Sequence, residues 1–190
     1  MDRTYTIYAG VNGAGKSTMY KSIKLNPGEE RVNADEILVE GGGDWRDEKD
    51  QADAMREAVK RINYFINEGV SFNQETTLTG RSIFNTIKKT KRNKFYVRLV
   101  YIGLEDANLA VDRVKNRVKL GGHGIDEITV RRRYDVSLSM LEEVLPLCDI
   151  AVIYDNSEKF HMVAKHVYGE LKIFDKDCNW FNKALRVKKR

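Results

Sequence analysis

Apolar positions along the chain alternate between two spacings, and the switches mark the elements. "TYTIYAG", Thr4–Gly10, is β-branched and aromatic and ends at glycine, which predicts a strand feeding a loop. A helix is expected from Lys16 to about Lys24, stopped by Asn26-Pro27-Gly28. A brief second strand follows at Arg31–Asn33. "GGGDWRD", Gly41–Asp47, reads as a flexible entry to a long helix with Ala52, Met55, Val59, Ile62 and Ile66 inward, closed by Gly69. "VSFNQETTL" is a third strand carrying Glu75 at its end, followed by a helix from Arg81 to about Lys91. "FYVRLVYIGL" is apolar enough to be a central strand. Two helices come next. The first, in "EDANLAVDRVKNRVKL", turns Ala107, Ala110 or Val111, Val114 and Val118 inward, and "GGHG", Gly121–Gly124, breaks it. The second, Asp126–Leu145, buries Tyr134, Leu138, Leu141 and Leu145. "DIAVIYDNS" is a fifth strand, "ELKIFDK" a candidate sixth, and the tail from Asn179 a short helix. Strands alternating with helices predict an α/β fold, a parallel sheet of about five strands covered on both faces. With no internal repeat or long linker, residues 1–190 read as a single domain.

Composition narrows the class without naming it. The 190 residues can bury a real core, and 32% are charged, which suits a globular chain. A net charge of +5 fits a nucleic-acid partner and equally an anionic nucleotide. Cys148 and Cys178 are far apart, so neither a zinc site nor a disulfide framework is expected. No charged-then-apolar leader precedes the first strand, and no apolar run reaches the length of a membrane span, so a cytoplasmic protein is the expectation.

The first loop carries the most specific chemistry. Gly10-Val11-Asn12-Gly13-Ala14-Gly15-Lys16-Ser17, with Thr18 next, fits G-x-x-x-x-G-K-[ST] at every fixed position. Glycines let backbone N–H groups approach phosphate oxygens, and the helix that follows presents free N–H groups to an anion. Lys16 is expected to reach the β- and γ-phosphates and Ser17 to hold Mg²⁺ through its hydroxyl. An ATP or GTP site follows, but this loop alone does not separate switch, motor and kinase.

A kinase also needs a carboxylate beside the acceptor hydroxyl and cations around the moving phosphoryl group. Asp35 follows the second strand and Glu75 ends the third, both on the edge where the phosphate loop lies. Thr76 and Thr77 stand beside Glu75 as hydrogen-bonding candidates. Arg113 and Arg117 lie one turn apart, followed by the glycine hinge with His123 and then "RRRY". That order suits a mobile lid over phosphates, approximately residues 106–135. Measured from Tyr134, Arg132 points away from the apolar stripe while Arg131 and Arg133 flank it. Asp155 reads either as a metal-holding acid or as a shaper of the loop around the nucleotide base. The basic runs Lys88–Lys94 and Arg186–Arg190 read as solvated charge before they read as an RNA surface.

Together these blocks resemble a known family. "GVNGAGKST", "NADEI", "ETTLTG", "LVYIGL", "RVKNRVKLGGHGI", "RRRYDVSL" and "VIYDNS" follow the order and spacing of the compact zeta-toxin-like P-loop kinases, over roughly Tyr5–Ser157. The resemblance implies a three-layer P-loop kinase fold with a helical lid, using ATP or GTP with Mg²⁺. It implies transfer to the 3′-hydroxyl of the sugar of UDP-N-acetylglucosamine, and a small antitoxin protein as a partner. Asp35 falls at the family's base, and Lys16 and Ser17 at its P-loop pair. Glu75 and Thr77 fall in its substrate-contacting block. His123, by its place in the glycine turn rather than by the resemblance, is a candidate contact for substrate or phosphate. The lid arginines fall among Arg113, Arg117, Arg132 and Arg133. The chain is shorter than the best-known toxins, which bears on the acceptor more than on the chemistry. An antitoxin is expected as a separate chain. Two other readings stay open: a kinase of another metabolite or a nucleic-acid end, and a nucleotide-dependent switch.

Overall fold

The computed structural model describes residues 3–22 and 28–186. Its strands are β1 (Thr4–Ala9), β2 (Glu30–Val32), β3 (Phe72–Thr76), β4 (Tyr96–Gly103), β5 (Ile150–Asp155), β6 (His161–Val167) and β7 (Glu170–Ile173). They form one seven-stranded sheet in the order β2-β3-β1-β4-β5-β6-β7. The first five run parallel, and β6 and β7 add antiparallel beyond β5. β4 is central, as its apolar run predicts.

The helices are α1 (Lys16–Ser22), α2 (Ala34–Glu40), α3 (Glu48–Glu68), α4 (Ser82–Arg92), α5 (Ala107–Lys119), α6 (Glu127–Val144) and α7 (Asn179–Ala184). They cover both faces of the sheet. On one face Tyr8 meets Tyr20 of α1 edge to face, and on the other Tyr101 meets Ser137 of α6 and Trp180 of α7. The stop expected at Asn26-Pro27 lies outside the described residues. No helix among the described residues is long and apolar enough to cross a membrane.

The five parallel strands match the expected count, and other points depart from expectation. β6, not expected from the sequence, pairs with β7 through a tight hairpin. Tyr168 and Gly169 both hold positive φ, 47° and 92°, the conformation a two-residue hairpin needs, but Tyr is not the residue that usually advertises it. The residues after β2 form α2, started by Asn33, whose side chain accepts the Asp35 N–H at 3.0 Å. The inward stripe of α3 is Ala54, Ala58, Ile62 and Ile66, while Met55 and Val59 are exposed. Two apolar stripes share this helix, and the smaller side chains face inward, where α2 lies close. Val118 of α5 is also exposed, whereas Tyr134, Leu138, Leu141 and Leu145 are buried as expected. The entry to α3 is hydrogen-bonded throughout: Asp47 accepts from the Lys49 and Asp50 N–H groups, and Gln51 donates to the Trp45 carbonyl at 2.6 Å.

Candidate active site

Parallel strands bring the loops after β1, β2, β3, β4 and β5 to one edge of the sheet, and the predicted chemistry collects there. The loop between β1 and α1 is held by backbone approaches only glycine permits. Gly10 has φ +142°, and a Cβ there would stand 2.2 Å from the Ile102 carbonyl oxygen. Gly15 has φ +98° and packs under Asn156, whose Nδ2 donates to the Ala14 carbonyl at 2.9 Å.

Lys16 is the centre of the site. Its side chain is 8% exposed, and its Nζ donates to the Val11 carbonyl at 3.1 Å. Burial lowers its pKa, opposed by the attraction of Glu75 and Asp35 and reinforced by repulsion from Arg117 and Arg133. Four of the sequence-predicted charges therefore act on one ammonium group. Asp35 is exposed in the first turn of α2, and its carboxylate accepts no hydrogen bond among the described residues. It also attracts the half-buried Arg133 guanidinium, whose pKa is lowered chiefly by burial and by Arg132 beside it.

Ser17 and Glu75 form the second centre. Ser17 Oγ donates to both carboxylate oxygens of Glu75, at 2.9 and 3.0 Å. Glu75 also accepts from Arg31 Nη2 at 2.7 Å and from Asn33 Nδ2 at 3.1 Å. A hydroxyl and a carboxylate at one point, all hard oxygen, fit Mg²⁺ beside a triphosphate. The buried ammonium, with a single carbonyl for its three donors among the described residues, fits the phosphates themselves. Sequence reasoning placed Glu75 among substrate contacts. Its carboxylate also accepts from Ser17 Oγ, the hydroxyl expected to hold the metal.

The remaining candidates separate. Arg133 Nη1 donates to Asn12 Oδ1 at 3.1 Å, tying α6 to the phosphate loop. Arg117 Nε donates to the His123 carbonyl at 2.7 Å, so the hinge is pinned by its backbone while the His123 ring meets Trp45. Arg113 Nη2 donates to the Ser157 carbonyl at 2.9 Å, with Nη1 3.5 Å from the Gly13 carbonyl. Arg132 is exposed, and Arg131 turns to Glu127 and Asn108. Thr77 Oγ1 lies 2.9 Å from Thr79 Oγ1. Thr18 is exposed on α1, and its carbonyl accepts from Ser22. The two readings of Asp155 resolve toward structure. Its carboxylate accepts from the Ser157 N–H and Oγ, both at 2.8 Å, and from Trp180 Nε1 at 2.6 Å. Three donors on a buried carboxylate favour the loop-shaping reading.

No protein-family model matches the chain. Among solved structures, the AvrRxo1-ORF1:ORF2 complex superposes with a TM-score of 0.71 at 16% identity, covering 97% of this chain. The same complex solved with ATP gives the same values. This chain spans 64% of the matched chain's length. A structure of the PezAT chromosomal toxin-antitoxin system of Streptococcus pneumoniae superposes with a TM-score of 0.62 at 15% identity, over 100% of this chain and 80% of that one. An uncharacterized protein of Haemophilus influenzae is 36% identical over 134 residues, 70% of this chain and 94% of that protein. The chain has the zeta-toxin-like P-loop kinase fold and belongs to the Haemophilus protein's family.

Within this kinase fold, sequence reasoning missed Arg31, Asn33 and Asn156. Each acts through a neighbour that only the sheet register supplies. Arg31 pairs with Asn73 across β2 and β3, which places it on the same face as Glu75, two residues further along.

Proposed function

We propose that this chain is a single-domain kinase that transfers the terminal phosphoryl group of ATP or GTP to a hydroxyl of a small acceptor. The observation that carries this reading is the buried Lys16 ammonium next to the Ser17–Glu75 hydrogen bonds, with Arg133 of α6 reaching Asn12 of the same loop. Asp35, exposed in the first turn of α2 on the same edge, accepts no hydrogen bond among the described residues and is open to an acceptor.

Lys16 and the loop N–H groups hold the β- and γ-phosphates. Ser17 and Glu75 hold Mg²⁺, which supplies charge neutralisation at the phosphates when bound. Asp35 accepts the proton of the acceptor hydroxyl as its oxygen bonds to the γ-phosphorus. The β–γ bridging bond breaks, and the nucleoside diphosphate leaves with the electron pair. Arg117 and Arg133 close from residues 106–135, which act as a lid, and balance the charge on the moving group. Arg113 and Arg132 flank the nucleotide on the same segment. Thr77 and His123 border the acceptor. The acceptor is a UDP-amino sugar, UDP-N-acetylglucosamine first, and the protein is the toxin of a toxin-antitoxin pair whose antitoxin is a separate chain. The sequence blocks from Gly10 to Ser157 support that assignment, and the likeness to the PezAT toxin-antitoxin system supports its toxin part.

The test is direct. Purified protein with radiolabelled Mg-ATP and UDP-N-acetylglucosamine should yield a phosphorylated sugar nucleotide, and Asp35→Asn should lower the rate by about 10²–10⁴-fold with ATP affinity kept. No labelled product, and ADP release indifferent to every sugar nucleotide tried, would overturn the acceptor. A labelled oligonucleotide end in the same assay would move the protein to nucleic-acid repair chemistry. Equal rates for Asp35→Asn and wild type would overturn the base.

A further inference from the structure

Arg31 lies outside the phosphate loop, the acids and the lid, yet it is among the most heavily engaged side chains on the active edge. Its guanidinium is 13% exposed and stacks on the Tyr20 ring of α1, with Cζ 3.8 Å from the centroid. Nε and Nη2 reach Glu36 at 2.7 and 2.8 Å, Nη2 also reaches Glu75 at 2.7 Å, and Nη1 lies 3.4 Å from Asn73 Oδ1. Burial works against its charge, and the bonds to Glu36 and Glu75 more than restore it, so its pKa ends above the ordinary value. The guanidinium is therefore a fixed cation held by α1, β2, α2 and β3 at once.

Its two carboxylate partners matter for what stands next to them. Glu75 carries the bonds to Ser17 Oγ, and Glu36 follows Asp35 in the first turn of α2. One planar fork thus fixes the carboxylate on the nucleotide side and the turn that carries the candidate base. A lysine offers a point charge and cannot hold two carboxylates and a ring face in one plane.

We propose that Arg31 is a positioning residue that sets the Glu75 carboxylate against Ser17 for Mg²⁺ and keeps the Asp35 turn in register with it. The inference rests on the nucleotide-binding half of the reading above and is independent of whether phosphoryl transfer follows. Outer partners of metal-holding side chains change metal affinity by about 10–100-fold when removed.

The measurement is binding of the fluorescent analogue mant-ATP across a Mg²⁺ series, with circular dichroism confirming the fold of each variant. Arg31→Gln should raise the Mg²⁺ concentration at half-maximal binding by about tenfold or more. Arg31→Lys should fall between that and wild type. Glu75→Gln should match Arg31→Gln, and the double variant should differ from Glu75→Gln by less than about twofold, because both changes remove one arrangement. A midpoint for Arg31→Gln within about twofold of wild type would overturn the proposal, as would effects that multiply in full. If Arg31→Gln does not fold, Arg31→Lys decides, with an unchanged midpoint counting against. If wild type transfers no phosphoryl group but the midpoint still moves with Arg31, the transfer reading fails and this one stands. If wild type binds neither mant-ATP nor mant-GTP, both fail.

Discussion

Replacing Lys16 with methionine should make the nucleotide-free protein more stable while removing its affinity for nucleotide. The ammonium is 8% exposed and has the Val11 carbonyl at 3.1 Å as its hydrogen-bond acceptor. Methionine keeps the length and apolar stem of lysine. The Val11 carbonyl does not lose its last donor, because the Ala14 N–H also bonds to it at 3.1 Å. Burial lowers the Lys16 pKa despite the attraction of Glu75 and Asp35, so the charged form is worse off in the fold than in water. An incompletely satisfied buried polar group costs about 1–3 kcal/mol, and the two carboxylates put this case at the low end. A gain of about 1 kcal/mol corresponds to about 2–4 °C in Tm for a domain of this size.

The pH dependence gives the sign a second check. Lys16 titrates in the fold below its unfolded value of 10.5. Below the folded pKa both states are protonated and the burial cost is present in full. As pH rises through the folded pKa, the native state sheds its proton first, and the cost fades until the unfolded chain also titrates. The stability advantage of Lys16→Met should therefore shrink as pH rises towards 10.5. Calorimetry without nucleotide, and urea unfolding at several pH values, measure both effects. With Mg-ATP at about 100 times its Kd, wild type should gain about 2.7 kcal/mol and the variant nothing. A variant less stable than wild type at pH 7, or an advantage that does not change with pH, would refute the reasoning.

Two further outcomes follow from the packing. Ile62→Ala should cost about 2–5 kcal/mol in chemical unfolding, whereas Met55→Ala should stay within about 0.5 kcal/mol, although both fall on apolar spacings of the same helix. Asp155→Asn should cost about 2 kcal/mol by weakening charge-assisted bonds from Ser157 and Trp180 and should change Trp180 emission, with the Mg²⁺ requirement of nucleotide binding unchanged.

The sequence by itself determined the phosphate loop, because Gly10 to Ser17 depends on local backbone conformation and on a strand and helix contiguous in the chain. It also determined the parallel sheet, through alternating elements, and the burial of Tyr134, Leu138 and Leu141 on α6, although Ser137 and Met140 share that buried face. Asp35 and Glu75 were legible as strand-end acids because parallel topology sends every such end to one edge. The direction of α3 was not legible: two stripes compete, and only the docking of the helix in the fold selects Ala54 and Ala58 over Met55 and Val59. Nor were the partners of Glu75, Asp155 and Arg31. Glu75 is 58 residues from Ser17 and 44 from Arg31, and Asp155 is 25 from Trp180. Such contacts are fixed by strand register and helix docking, which sum weak preferences over the whole core and leave no local mark in the chain. The tertiary structure thus decided what each charged group faces, and so which acid is held against Ser17 and which is left exposed beside Lys16.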